Sequence, residues 1–444
     1  MLHSALGLNG CVTAPHRGAS LAGRDILAAG GSAIEAMVAM AATIAVVYPH
    51  MNGIGGDAFW LIHRPGEPPI AISGAGRAAM LATPERYAAR GFTEMPVRGP
   101  DAALLVPGAV ATWRRALAML PTHLPLRDLL ADAIRQASEG FAASQSQHTM
   151  TAARADELRG QPGFAEVFLP GGEAPRTGER FRQPGMAATL DHLADEGLGS
   201  FYRGDIAAAH HAFLAGIDAP LRHADFEAYE ATQVEPLSVQ TSVGTVFNHP
   251  PPTQGFATLM ILGLFDRLGV PKAEGFDHIH GLVEATKRAY GLRNRHLGDP
   301  DAMTESANDW LAPDNLDRLA QGIDHRRAAP WPEPAVAGDT IWMAAADQDG
   351  TVVSFIQSLF WEFGSAVACP ATGVTFQNRG SGFHLRPGPN QLAPGKRPFH
   401  TLNPALAQFD DGRVMAFGTM GGDGQPQTNA AVFSRYALFD QNLQ

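Results

Sequence analysis

One threonine in this chain stands where its own hydroxyl could do chemistry on the backbone before it. Thr340 follows Gly338-Asp339 and opens an apolar run over residues 340–346; Asp347-Gln348-Asp349-Gly350 makes a turn, and residues 351–359 run back. Upstream, Pro330, Pro332 and Pro334 prevent regular structure over residues 326–339. A hydroxyl at the head of a strand behind such a loop can attack the carbonyl of Asp339 and turn the amide into an ester. Hydrolysis then frees Thr340 as a new amino terminus. Its α-amine, with a pKa of roughly 7.7–8.0, becomes a base beside its own hydroxyl, so one residue supplies both nucleophile and base. Threonines begin strands in every class of protein, so the pattern alone leaves a plain strand threonine open.

The elements that would position this residue are readable nearby. Residues 20–29 carry Leu21, Ile26 and Leu27 at helical spacing, and Gly30-Gly31 stops that helix. Ser32 with Glu35 three residues on is a capping box for a nearly all-apolar helix, Ala33–Val47, which predicts burial on most sides. A glycine turn at Met51 to Asp57 leads into two short strands, residues 58–63 and 70–73. Further on, residues 245–248 read as a strand that runs through Pro250-Pro251-Pro252-Thr253-Gln254-Gly255 into helices over residues 256–268 and 278–297. No repeat or long linker divides residues 121–276, which read as one body.

Composition narrows the function classes. Lys plus Arg number 33 against 44 Asp plus Glu, a net charge of −11 spread along the chain. That argues against nucleic acid and anionic membranes as partners, since both reward clustered positive charge. The longest apolar run contains Glu35 and falls short of the roughly 18–20 residues of a membrane span. Cys11 and Cys369 read as free thiols suited to a reducing compartment, and with no signal peptide visible the cytoplasm is the expected location. His278 and His280 have no third ligand in sequence, and no metal or other cofactor is expected. The Gly53–Gly56 turn lacks a phosphate-loop pattern and reads as packing.

Further motifs now carry a resemblance. Ala14-Pro15-His16, Gly30-Gly31-Ser32-Ala33, Gly53-Ile54-Gly55-Gly56, Val106-Pro107-Gly108-Ala109-Val110, Pro250 to Gly255 and Leu297-Gly298-Asp299-Pro300 stand in order with Gly338-Asp339-Thr340, Phe363-Gly364, Lys396-Arg397-Pro398 and Gly421-Gly422. In this register the chain resembles the γ-glutamyltransferase family over nearly its whole length. The resemblance implies an α+β fold, the four-layer α-β-β-α sandwich of the N-terminal nucleophile hydrolases, and self-cleavage between Asp339 and Thr340. It implies a large subunit, 1–339, and a small subunit, 340–444, held together as a heterodimer of cleavage products that could dimerise further. Family members continue well past the paired glycines, so a small subunit truncated at its C-terminal end is expected. By the same resemblance Thr340 is the nucleophile, Ser358 orients it, Gly421 and Gly422 form the oxyanion hole, and Arg77 grips the substrate carboxylate.

The pocket departs from the γ-glutamyl pattern. Where that family holds the α-amino group of glutamate, this chain has Phe360, Arg379 and Gly382, and its two carboxylate-binding serines are replaced by His400 and Thr401. An acid that would meet an ammonium group is gone, so the expected substrate is a small anionic amide bound by Arg77, Arg379, His400 and Thr401 beside Phe360. The blocks Gly338 to Met343, Ser354 to Ser358 and Glu362 to Ser365 resemble most the oxamate amidohydrolases, which implies oxamate hydrolysis to oxalate and ammonia. Three alternatives stand beside it. They are a γ-glutamyl hydrolase or transpeptidase, a cephalosporin-type acylase using Phe360 and Trp361 as an apolar wall, and a catalytically silent binding relative. Arg379 could also serve only as a structural ion-pair partner.

Overall fold

The computed structural model describes residues 4–331 and 340–442. The expected cleavage residue Asp339 and most of the proline-rich boundary lie outside the described residues.

The longer strand-forming segments assemble into two antiparallel sheets, beside two short pairs, Phe141–Ala142 with Arg180–Phe181 and Ala368–Cys369 with Val374–Thr375. The first contains β1 (Gly10–Thr13), β2 (Asp57–His63), β3 (Ile70–Ser73), β4 (Thr232–Val234), β7 (Ile341–Asp347) and β8 (Val352–Ser358) in the order β1-β7-β8-β2-β3-β4. The second contains β5 (Leu237–Thr241), β6 (Gly244–Asn248), β9 (Ala405–Phe409) and β10 (Val414–Phe417) in the order β10-β9-β6-β5. The strand after Thr340 is therefore central. β7 pairs with β8 through Ile341↔Gln357, and β8 pairs with β2 through Ser358↔Asp57.

Side-chain alternation along these strands builds the layers. From β2, Ala58, Trp60 and Ile62 enter the core formed with the helix Ala33–Val47, while Phe59 and Leu61 point the other way. From the second sheet, Phe247, Leu406 and Val414 meet Leu61 and Ala71, and Val246, Ala405 and Ala407 pack beneath the helices Gly255–Arg267, Phe276–His296 and Gln425–Phe433. Helix, sheet, sheet and helix are stacked in that order, which is the expected four-layer α+β sandwich. Residues of the middle segment, from Leu129 to Tyr229, join the first core.

Local signals formed the elements they predicted. Ser32 caps Ala33–Val47 with the full reciprocal box, and every residue of that helix is buried. Glu35 also accepts from the N–H groups of His123 (2.7 Å) and Leu124 (2.8 Å). Burial opposes its charge, but the backbone N–H groups outweigh it and hold the carboxyl below its usual range. The first helix starts at Arg17, earlier than the periodicity indicates, because the His16 ring accepts from Gly18 N–H.

Candidate active site

Thr340 lies at the entrance to β7, 1 % exposed, and its Oγ1 donates to Ser358 Oγ at the end of the neighbouring strand (3.2 Å). Ser358 Oγ also accepts from the N–H of Phe360 (2.8 Å). The tight fit of this corner explains the glycine turn: a Cβ on Gly56 would sit 2.1 Å from the Ser358 carbonyl oxygen. The turn is packing, as its sequence indicates.

Beyond Ser358 the chain makes an unusual bend. Phe360 has φ 86, a left-handed conformation that costs a bulky residue about 1–3 kcal/mol. Its ring lies under the Arg379 guanidinium, whose carbon is 3.4 Å from the ring centroid. Arg379 is buried, and its Nη2 donates to Thr401 Oγ1 (2.7 Å) while its Nε and Nη1 have no hydrogen-bond partner among the described residues. Burial lowers its pKa to about 9, with Asp57 and Asp423 pulling the other way, so it is charged at neutral pH. A buried guanidinium with two unused donors is a site for an anion.

Asp57, which sequence reasoning passed over, underlies this cluster. It is fully buried, and its Oδ1 accepts from Gln377 Nε2 (2.7 Å) and its Oδ2 from His400 Nε2 (3.0 Å). Burial pushes its pKa up to about 7, against the pull of Gly76 N–H, Gln377, Arg379 and Gly108 N–H. All that the sequence shows of it is an acid ahead of the apolar residues 58–62, directly after a glycine turn.

The expected anion ligands separate accordingly. His400 is neutral, because burial and the Arg379 charge hold its pKa well below the usual value. Its Nδ1 accepts from Leu402 N–H (3.3 Å), so Nε2 carries the proton given to Asp57. With both nitrogens engaged, His400 does not donate to a substrate here, and the expectation that it reads the anion is corrected. Thr401 keeps its hydroxyl proton, since Oγ1 accepts from Arg379. Arg77 is exposed and donates to the Gly395 carbonyl (2.9 Å), outside the hydrogen-bonded cluster around Thr340. The Gly382 carbonyl accepts from Asn390.

The paired glycines are tied to the same cluster by Gln254. Its Nε2 donates to the carbonyls of Thr401 (2.8 Å) and Gly422 (2.9 Å), and its Oε1 accepts from Arg293 Nη1 (2.8 Å). Gly421 (φ 110) and Gly422 (φ 52) both take positive φ, and neither backbone N–H has a hydrogen-bond partner among the described residues. Such a pair of free N–H groups suits a developing oxyanion. Trp342 fixes the approach to this loop: it lies against Gly418, and its Nε1 donates to Ser354 Oγ (3.0 Å).

A strand-leading threonine between two sheets, a hydroxyl partner and a glycine pair define an N-terminal nucleophile hydrolase, and the gamma-glutamyltranspeptidase family model matches residues 19–444. The chain belongs to that family. It is 50% identical to an oxamate amidohydrolase proenzyme of Klebsiella pneumoniae, over all of this chain and 85% of the relative. A glutathione hydrolase-like YwrD proenzyme of Bacillus subtilis is 38% identical, over 98% of this chain and 83% of its own length. Among solved structures, a cephalosporin acylase from Bacillus halodurans superposes with a TM-score of 0.92 at 34% identity, covering 99% of this chain and 83% of that one.

Proposed function

We propose that this protein is a self-processing amidohydrolase that cleaves a small carboxylate-bearing amide, oxamate to oxalate and ammonia. The observation that carries the proposal is Arg379, buried on Phe360 with Nε and Nη1 unused, one residue contact from the Ser358 that accepts from Thr340. A substrate carboxylate meets an unused donor of that guanidinium, with the Thr401 hydroxyl beside it. Guanidinium on one face of Phe360 supports an anion over an apolar acyl group at that place. The similarity to an oxamate amidohydrolase supports the same substrate.

Processing between Asp339 and Thr340 would leave chains 1–339 and 340–444 associated through β7 and its neighbours, and would free the Thr340 amine. That amine takes the proton from Oγ1 as the oxygen attacks the amide carbon. The oxyanion rests on the N–H groups of Gly421 and Gly422; ammonia leaves with the amine's proton; water then cleaves the ester and restores Thr340. Cys11 and Cys369 are both unpaired, which supports a reducing compartment and action in the cytoplasm.

The test sets wild type beside Thr340→Ala on a denaturing gel with intact masses, and assays ammonia from oxamate and release from a γ-glutamyl anilide. The expected result is two fragments split before Thr340 in wild type alone, with ammonia from oxamate. Turnover of the anilide alone would move the protein to the γ-glutamyl enzymes, and an uncut, inactive chain would end the proposal.

A further inference from the structure

Asp57 makes no hydrogen bond to the nucleophile or to Arg379, yet its contacts hold residues one or two positions from Arg379 and Thr401, the groups assigned to the substrate carboxylate. Its backbone is paired with Ser358 across the β2–β8 ladder. Its Oδ1 holds Gln377, two residues before Arg379, and its Oδ2 holds His400, the residue before Thr401. Gly76, the residue before Arg77, lies over the first of these bonds: a Cβ there would sit 3.1 Å from Asp57 Oδ1 and 2.9 Å from Gln377 Nε2. Gln377 is also tied to the glycine turn, since its N–H donates to the Gly55 carbonyl (3.0 Å).

We propose that Asp57 is the positioning residue of the anion site: one buried carboxylate that fixes the segments bearing Arg379 and Thr401 against the end of β8. A group with two acceptor oxygens and no donor of its own suits two converging N–H groups from separate segments. The inference rests on the anion site proposed above. It assigns to Asp57 the capture of the substrate carboxylate and not the bond-breaking step, because its links run to Arg379 and Thr401 through their neighbours and not to Thr340 Oγ1 or the paired glycines.

The test uses full-length mature protein carrying Asp57→Ala, which orphans both donors, and Asp57→Asn, which leaves one oxygen acceptor. Two readouts are taken: kcat and KM for oxamate, and the Kd of oxalate by calorimetry, which needs no turnover. Asp57→Ala is expected to raise KM and the oxalate Kd about tenfold or more, as unsatisfied buried donors do, with kcat within about threefold and Asp57→Asn between it and wild type. Should Asp57→Ala not fold, Asp57→Asn and Gln377→Met, which removes one of the two bonds, carry the comparison and are expected to weaken oxalate severalfold. Unchanged oxalate affinity, or a loss confined to kcat, overturns the assignment. Tighter oxalate binding overturns it too, by showing Asp57 to act only as a competing charge. If wild type binds oxalate but releases no ammonia from oxamate, the substrate assignment fails while that of Asp57 is still decided by the calorimetry.

Discussion

At the scale of single residues, Arg379 is where the energetics are steepest. Burying a guanidinium costs several kcal/mol unless its donors are met, and the protein meets one of them with Thr401 and offers Phe360 as a π face. In the proposed site an anion meets a remaining donor, so part of the cost of burial is returned as affinity. A lysine at this place keeps the charge but has neither the planar fork nor the stacking surface. Arg379→Lys is therefore expected to raise KM for oxamate about 10- to 100-fold, the worth of a charged hydrogen-bonded pair, with self-cleavage before Thr340 intact. Steady-state kinetics on the cleaved variant measure it, and an unchanged KM would mean that the carboxylate is held elsewhere.

At the scale of elements, the turn before the helix Gly255–Arg267 does more than start that helix. Gln254 bridges the carbonyls of Thr401 and Gly422 and receives Arg293, so one amide sets the spacing between the proposed anion site and the glycine pair proposed as the oxyanion hole. Gln254→Met keeps the side chain's length and removes the link between the two carbonyls and the acceptor of Arg293 Nη1, while Asn403, the Gln425 N–H and Asp423 still meet the groups it leaves. It is expected to lower kcat about tenfold or more, the scale of a displaced oxyanion donor, and to slow fragment formation, followed by gel over time; wild-type rates for both would remove Gln254 from this role. Much of this architecture was legible in sequence because its causes are local. The capping box of Ser32 and Glu35, the Asp347–Gly350 turn and the Thr340 strand each need only a few consecutive residues to specify them. What was not legible depends on partners far along the chain. His400 was expected to face the substrate and instead faces Asp57, 343 residues away, and Arg77 was expected at the anion and donates to Gly395 at the surface. Asp57 carries no periodic signature at all, since a single acid at the head of an apolar strand acquires meaning only when the sheet brings Gln377 and His400 onto it.

At the scale of the whole molecule, the buried titratable groups set how stability responds to pH. Burial lowers His50 and His210 to about 3 and His249 to about 4, and lowers His400 as well. Unfolded, each would take a proton below about 6.5; folded, each stays neutral well below that. The unfolded state therefore binds more protons between about pH 4 and 6.5, and this contribution, complete above the window, is lost as pH falls through it. Asp57 has the opposite sign. Its folded pKa, near 7, is raised from 3.8, so the folded state holds the extra proton in nearly the same window, and its contribution is present at low pH and lost as pH rises through about 7. Four imidazoles oppose one carboxyl, so the histidines decide the slope. The urea midpoint is expected to fall as pH is lowered from 7.5 to 5, and to fall further in Asp57→Asn, which lacks a carboxyl that gains on acidification. A midpoint that holds steady or rises in wild type would show that these imidazoles are not kept neutral by the fold. Equal falls in the two proteins would show that Asp57 takes up no proton as the molecule is acidified.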